Sequence, residues 1–232
     1  MLKSISRTIA VVLTGGIAAV ALMSGAASAQ DTGTGNYLSL GAGLKWSKDR
    51  QLNSTFPAGA TGPAATTPSA RSGSTDFNTG FNVVGALGHK WDSGLRGELE
   101  FGFRRNALET LYGATSDGSK KVGSVMANVL YDFQTGASIT PYLGAGLGAG
   151  REQWTKTYGV AAAPDVHVRD TALQWQLIGG VALPVSDRTS VFAEYRFISL
   201  ENVNYRTMKL APTTGKFDDR SHNMLAGVRF HL

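Results

Sequence analysis

The sequence predicts an all-β chain, an eight-stranded antiparallel up-and-down transmembrane β-barrel, and three observations predict it. Segments alternating with period two recur eight times, each has one apolar and one polar or charged face, and the connections alternate strictly between long and short. The clearest segment runs from Leu95 to Arg105. It sets Leu95, Leu99, Phe101 and Phe103 on one parity and Arg96, Glu98, Glu100 and Arg104 on the other. Opposite charges close together suit an enclosed polar interior where they can pair, and large apolar side chains suit lipid. A soluble sheet would carry mostly Ser, Thr and Lys on its polar side.

The N-terminus is consistent with export. Met1 to Ala29 carries Lys3 and Arg7, an apolar core from Ile9 to Met23, and Ala27-Ser28-Ala29 ahead of Gln30. That order predicts a cleaved signal peptide over 1–29, a short leader over 30–35 and a barrel over 36–232. The apolar core is too short for a spanning helix of ~20 residues. The chain has no cysteine, so no disulfide framework supports it. With 29 glycines and 17% charged residues, a helical bundle is disfavoured. Lys3 and Arg7 supply two of the +5 formal charges, and the remainder is too mild to imply nucleic acid.

Taken in order, Asn36 to Ser47 alternates Leu38, Leu40, Ala42, Leu44 and Trp46 against Tyr37, Ser39, Gly41, Gly43 and Lys45. Lys48 to Thr75, rich in Ala, Gly, Ser and Thr with Pro57, Pro63 and Pro68, is expected to be a loop without regular pairing. Asp76 to Trp91 sets Phe77, Phe81, Val83, Leu87 and Trp91 against Asn78, Asn82 and Lys90, and Asp92-Ser93-Gly94 is a hairpin turn. After Leu95 to Arg105 comes a loop, then Ser119 to Phe133 and a turn over Gln134 to Ser138. Ile139 to Trp154 contains Pro141-Tyr142-Leu143-Gly144-Ala145-Gly146-Leu147-Gly148-Ala149-Gly150. A phosphate loop needs a strand before such glycines and a helix after them. Here Leu143, Ala145, Leu147 and Ala149 keep strand parity, so the inward glycines are expected to make room for long charged side chains. The last strands are Thr171 to Val185, Thr189 to Asn202, and a closing segment in which Met224, Ala226, Val228 and Phe230 alternate with Asn223, Leu225, Gly227 and Arg229.

Four long loops on one side, with short turns and termini on the other, give the asymmetry of an outer-membrane barrel. Trp46, Phe77, Phe101, Phe103 and Phe197 are expected in one aromatic girdle and Trp91, Tyr131, Phe133 and Phe230 in a second. The order of motifs resembles the small outer-membrane β-barrel family of proteobacteria, which includes the OmpA-type transmembrane domain and the porin-family surface antigens. The residues that carry the resemblance are Gly94 to Glu100, Asn128 to Phe133, Pro141 to Gly148, Tyr195-Arg196-Phe197 and Ser221 to Phe230. The chain departs from the family by ending in Leu232 rather than an aromatic, with Phe230 two places earlier. The resemblance implies residence in the cell outer membrane and roles as anchor, adhesin, antigen or narrow channel.

Inside such a barrel the expected charge network is Arg96, Glu98, Glu100, Arg104, Asp132, Glu194, Arg196 and Arg229, with Lys45 and Glu152. Glu98, Glu100 and Glu194 are expected to pair with Arg96, Arg196 and Arg229. This network reads as structural, or as a gate in a narrow path. His89 and His222 have outward parity, His167 lies in a loop and His231 near the terminus, so no catalytic or metal-ligating set is expected. No cofactor is called for. The expected partners are outer-membrane lipid, lipopolysaccharide included, and the barrel-assembly machinery, around a monomer. Basic residues near the long loops, such as Lys48, Arg105, Lys121 and Arg151, are candidates for meeting lipid phosphates. The main reading is a non-enzymatic barrel for envelope integrity and surface presentation, with a porin-like channel as the alternative.

Overall fold

The computed structural model describes residues 34–47, 50–56, 69–77, 79–111, 114–115, 119–155, 165–167, 169–208 and 214–232. The expected signal peptide lies outside them. In chain order the strands are β1 (Gly35–Ser47), β2 (Arg50–Phe56), β3 (Ser69–Phe77), β4 (Gly80–Lys90), β5 (Leu95–Leu111), β6 (Ala114–Thr115), β7 (Ser119–Asp132), β8 (Thr140–Thr155), β9 (Asp165–His167), β10 (Arg169–Ser186), β11 (Thr189–Met208) and β12 (Thr214–His231). Eight of them, β1, β4, β5, β7, β8, β10, β11 and β12, pair antiparallel in that order. The register Leu38↔Phe230 to Ser47↔Ser221 joins β12 back to β1, so the sheet closes into a barrel. Closure removes free strand edges, which in lipid would leave backbone groups unsatisfied at several kcal/mol each.

The alternation places side chains as the period-two pattern dictates. Arg96, Glu100, Asn128 and Gln176 are buried inside, whereas Leu99, Phe101, Val129, Leu143 and Leu147 cover the outer wall. At the short-turn end, Gly94 closes the β4–β5 hairpin at φ 83°, a left-handed conformation suited to glycine. Its N–H donates to Trp91 O at 3.0 Å, and its carbonyl accepts from Asp132 N on the next hairpin at 2.9 Å. The β10–β11 turn is tighter still, with Ser186 opposite Thr189.

The long connections differ from expectation. Residues 48–75, expected to be unpaired, contain the β2–β3 hairpin, with Arg50↔Thr75 to Phe56↔Ser69 in register. Pro57, Pro63 and Pro68 fall between these strands in sequence, outside the described residues. The expected second strand, 76–91, is divided between β3 and β4, and β3 joins β5 through Asp76↔Thr110 and Phe77↔Leu108. β5 runs to Leu111, β8 to Thr155 and β11 to Met208, all into segments expected to be loops. On β11 a bulge lies between Leu200 and Val203, with Asn202 at φ 54°. The bulge resets the parity, so that Leu200 and Val203 are both buried.

Candidate functional site

The lumen is built from the inward faces of eight strands, and their pairing order fixes which face one another. β1 is opposite β8, β5 opposite β11, and β7 opposite β12.

At the short-turn end two tyrosines repeat one arrangement. Tyr37 on β1 lies over Gly88, its direct partner on β4, and its hydroxyl donates to Glu98 Oε1 on β5 at 2.6 Å. Tyr142 on β8 lies over Gly180 on β10, and its hydroxyl donates to Glu194 Oε1 on β11 at 2.7 Å. Between the rings sit two guanidinium groups. Arg96 lies 5.7 Å from the Tyr37 centroid and 4.7 Å from that of Tyr142. Arg229 lies 5.1 Å and 5.7 Å from the same rings, and 5.8 Å from Phe192. Arg96 also donates from Nε to Asp132 Oδ1 at 2.8 Å and from Nη1 to Glu98 Oε1 at 3.1 Å. Lys90 Nζ lies 3.3 Å from Asp132 Oδ2.

Midway up, Arg196 on β11 holds two carboxylates. Nη1 donates to Glu100 Oε2 on the opposite wall at 2.6 Å, and Nε donates to Glu194 Oε2 at 2.7 Å. Asn128 donates to Glu100 Oε2 at 2.9 Å, and Gln176 donates to Asn128 Oδ1 at 2.8 Å. At the long-loop end Lys120 pairs with Asp219, again between opposite strands, and with Glu152 Oε1 at 3.3 Å. Lys45 lies 3.8 Å from Asp219 Oδ2, and Arg104 donates to Gln174. Apolar groups fill much of the remaining space: Leu130, Tyr142, Ile178, Ala182 and Phe192 at the lower end, and Leu200 with Val203 above. Charges so far from water are tolerated when opposite charges and hydrogen bonds surround them.

An inside made of paired charges and an outside made of leucine, valine and phenylalanine is the inverse of a soluble protein. Residues 15–230 match the family model of the outer membrane protein beta-barrel domain. The chain belongs to that family. Among solved structures, the Neisserial surface protein A matches with 21% identity and a TM-score of 0.53, over 86% of this chain and 99% of that one. OprG, an outer membrane protein from Pseudomonas aeruginosa, matches with 10% identity and the same TM-score of 0.53, over 87% and 98%. These likenesses show the fold. No curated protein sequence matches the chain.

In this outer membrane barrel all eight expected network residues point inward. Their partners differ in part from expectation. Arg229 meets aromatic faces, and among the described residues no carboxylate lies within ion-pair distance of it; the glutamates expected for it are held by Tyr142, Arg96 and Arg196. Arg104 bonds an amide rather than a carboxylate. The inward glycines make room for neighbours that are mostly uncharged. A Cβ at Gly146 would meet Asn128 Oδ1 at 2.0 Å, and one at Gly144 would meet Leu130 at 2.6 Å.

Sequence reasoning did not single out Tyr37, Tyr142, Lys90, Lys120 or Asp219 for the network. The register reveals the tyrosines, since each faces a glycine across one pairing. Lys120 and Asp219 each lie just inside a strand beside a long loop, and parity alone does not show that the two meet across the bore. Of the histidines, His89 Nδ1 lies 2.8 Å from Asn36 Oδ1. His222 Nδ1 lies 2.6 Å from the Tyr195 hydroxyl, and the His222 ring stacks on Trp46. His167 lies on β9, opposite Arg206 on β11.

Proposed function

We propose that this outer membrane barrel is a sealed, non-enzymatic scaffold that contributes to envelope integrity and presents its long connections at the cell surface. The observation that carries the reading is the 2.6 Å bond from Arg196 to Glu100, made between opposite walls across the whole bore. The Lys120–Asp219 pair repeats the crossing nearer the long loops, and Arg96 and Arg229 between the two tyrosines repeat it below. A solute would have to break charge pairs at two successive heights and part the guanidinium–tyrosine stack at a third, each held where few water molecules could replace the lost contacts. The non-enzymatic part rests on the histidine surroundings: His89 and His222 have asparagine and tyrosine as hydrogen-bond partners, and neither pair supplies a nucleophile and base.

One observation favours a narrow ion path instead. Asn82 Oδ1, Arg104 Nε, Glu152 Oε2 and Gln176 Oε1 are buried in the lumen without a protein partner, and bound water would satisfy them.

The deciding experiment is single-channel recording of the refolded protein in a planar bilayer, beside Arg196→Ala/Glu100→Ala. A sealed barrel gives no steady conductance in the parent and openings in the variant. Steady conductance in the parent, altered by the same pair, would replace the scaffold reading with the channel.

A further inference from the structure

The outer wall carries a second charged feature, on the side away from the lumen. On β5 the outward side chains run Leu95, Leu99, Phe101, Phe103 and then Arg105. On β7 they run Tyr131, Val129, Val125 and then, past Gly123, Lys121; on β8, Leu143, Leu147 and then, past Ala149, Arg151; on β10, Leu183, Val181, Leu177, Trp175, Leu173 and then, past Thr171, Arg169. Four neighbouring strands therefore end their lipid-facing runs in a cation, all at the long-loop rim.

The register aligns them. Arg105 is opposite Lys121, Lys121 opposite Gln153, and Gln153 opposite Arg169. With strands ~4.8 Å apart, this row is about 15 Å long. Arg151 lies two residues below Gln153 and directly opposite Gly123, where an added Cβ would meet nothing within 4 Å. Arg105, Arg151 and Arg169 are exposed and Lys121 is half-exposed. Among the described residues, the ion pairs involve Lys45, Lys90, Arg96, Lys120, Arg196 and Arg220 and none of these four. On β12, across the barrel, the exposed Arg220 is by contrast paired with Asp218 at 3.6 Å.

Cations left unpaired at the top of an apolar wall suit an amphiphile with acyl chains below and anionic groups above. We propose that Arg105, Lys121, Arg151 and Arg169 form a binding site for the phosphates of a membrane lipid, whose chains lie along the wall of β5, β7, β8 and β10. Arginine supplies a planar fork of donors that can take a phosphate bidentately, and the row is long enough for a lipid bearing two phosphates. Gly123 leaves a gap beside Arg151 through which a headgroup can reach the guanidinium.

The test is native mass spectrometry of the refolded protein in neutral detergent, titrated with diphosphoryl lipid A. The expected result is one retained lipid per chain, with apparent affinity falling roughly 25-fold in Arg151→Gln/Arg169→Gln, about fivefold per cation. Lipid A stripped of both phosphates should not be retained by the parent, and inorganic phosphate alone should not displace the intact lipid. Equal retention of both lipids by the parent would overturn the proposal without reference to any variant. Undiminished binding in the double variant would overturn it equally, and displacement by inorganic phosphate would reduce the site to one for the free anion.

Discussion

The ring of Tyr142 covers Gly180, the residue facing it across the β8–β10 pairing, and its hydroxyl reaches one strand further to Glu194. The wall and the lumen are thereby held by one side chain, which shields a glycine backbone and satisfies a buried carboxylate. Gly180→Ala would bring a Cβ to 2.6 Å from that ring and 2.8 Å from the Ala193 carbonyl. The carbonyl belongs to the backbone and cannot easily yield, so the variant should lose about 1–3 kcal/mol, read from the urea midpoint of unfolding in lipid. Tyr142→Phe keeps the ring and should lose a comparable ~1–3 kcal/mol through the unsatisfied Glu194. An unchanged midpoint in Gly180→Ala would mean that the ring is free to move away.

Arg196 separates Glu100 from Glu194. Arg196→Met leaves both carboxylates buried without their cation, and the expected cost is about 3–5 kcal/mol. Adding Glu100→Gln and Glu194→Gln to the same chain should recover most of it. A thermodynamic cycle over these variants checks the coupling; additive losses would mean that the pairs act independently.

The outer wall should respond to charge by depth. Leu147→Arg, on the exposed apolar face of β8, is expected to cost about 2–4 kcal/mol. Gln153→Arg, in the basic row at the rim of the same strand, should cost only ~0–1 kcal/mol. Equal penalties at the two positions would place the rim deeper in the membrane than the cation row implies.

Replacing residues 50–75 by a short turn removes the β2–β3 hairpin and leaves all eight barrel strands and their registers. The variant should insert into vesicles and keep the faster electrophoretic migration of an unheated folded barrel. Loss of that heat-dependent shift would mean that the β2–β3 pairing itself assists closure.

The eight strands, their facing and their short turns were legible because lipid and lumen impose opposite chemistry on alternate residues. Leu95 to Arg104 displays that contrast directly. The β2–β3 hairpin was obscured because small polar residues pair through their backbones without leaving an apolar alternation. The bulge before Val203 was obscured for a related reason, since a parity rule has no means of marking the residue where the strand slips by one.

Which side chains line the bore was thus set by the sequence itself, through the fixed two-residue period of a strand. Which of them meet was decided only by closure and stagger. These bring Arg196 to Glu100, separated by 96 positions in the chain, and leave Arg229 between two tyrosine rings instead of against a glutamate. Parity reports the direction of a side chain, but its height and partner across the barrel depend on the register of all eight strands together.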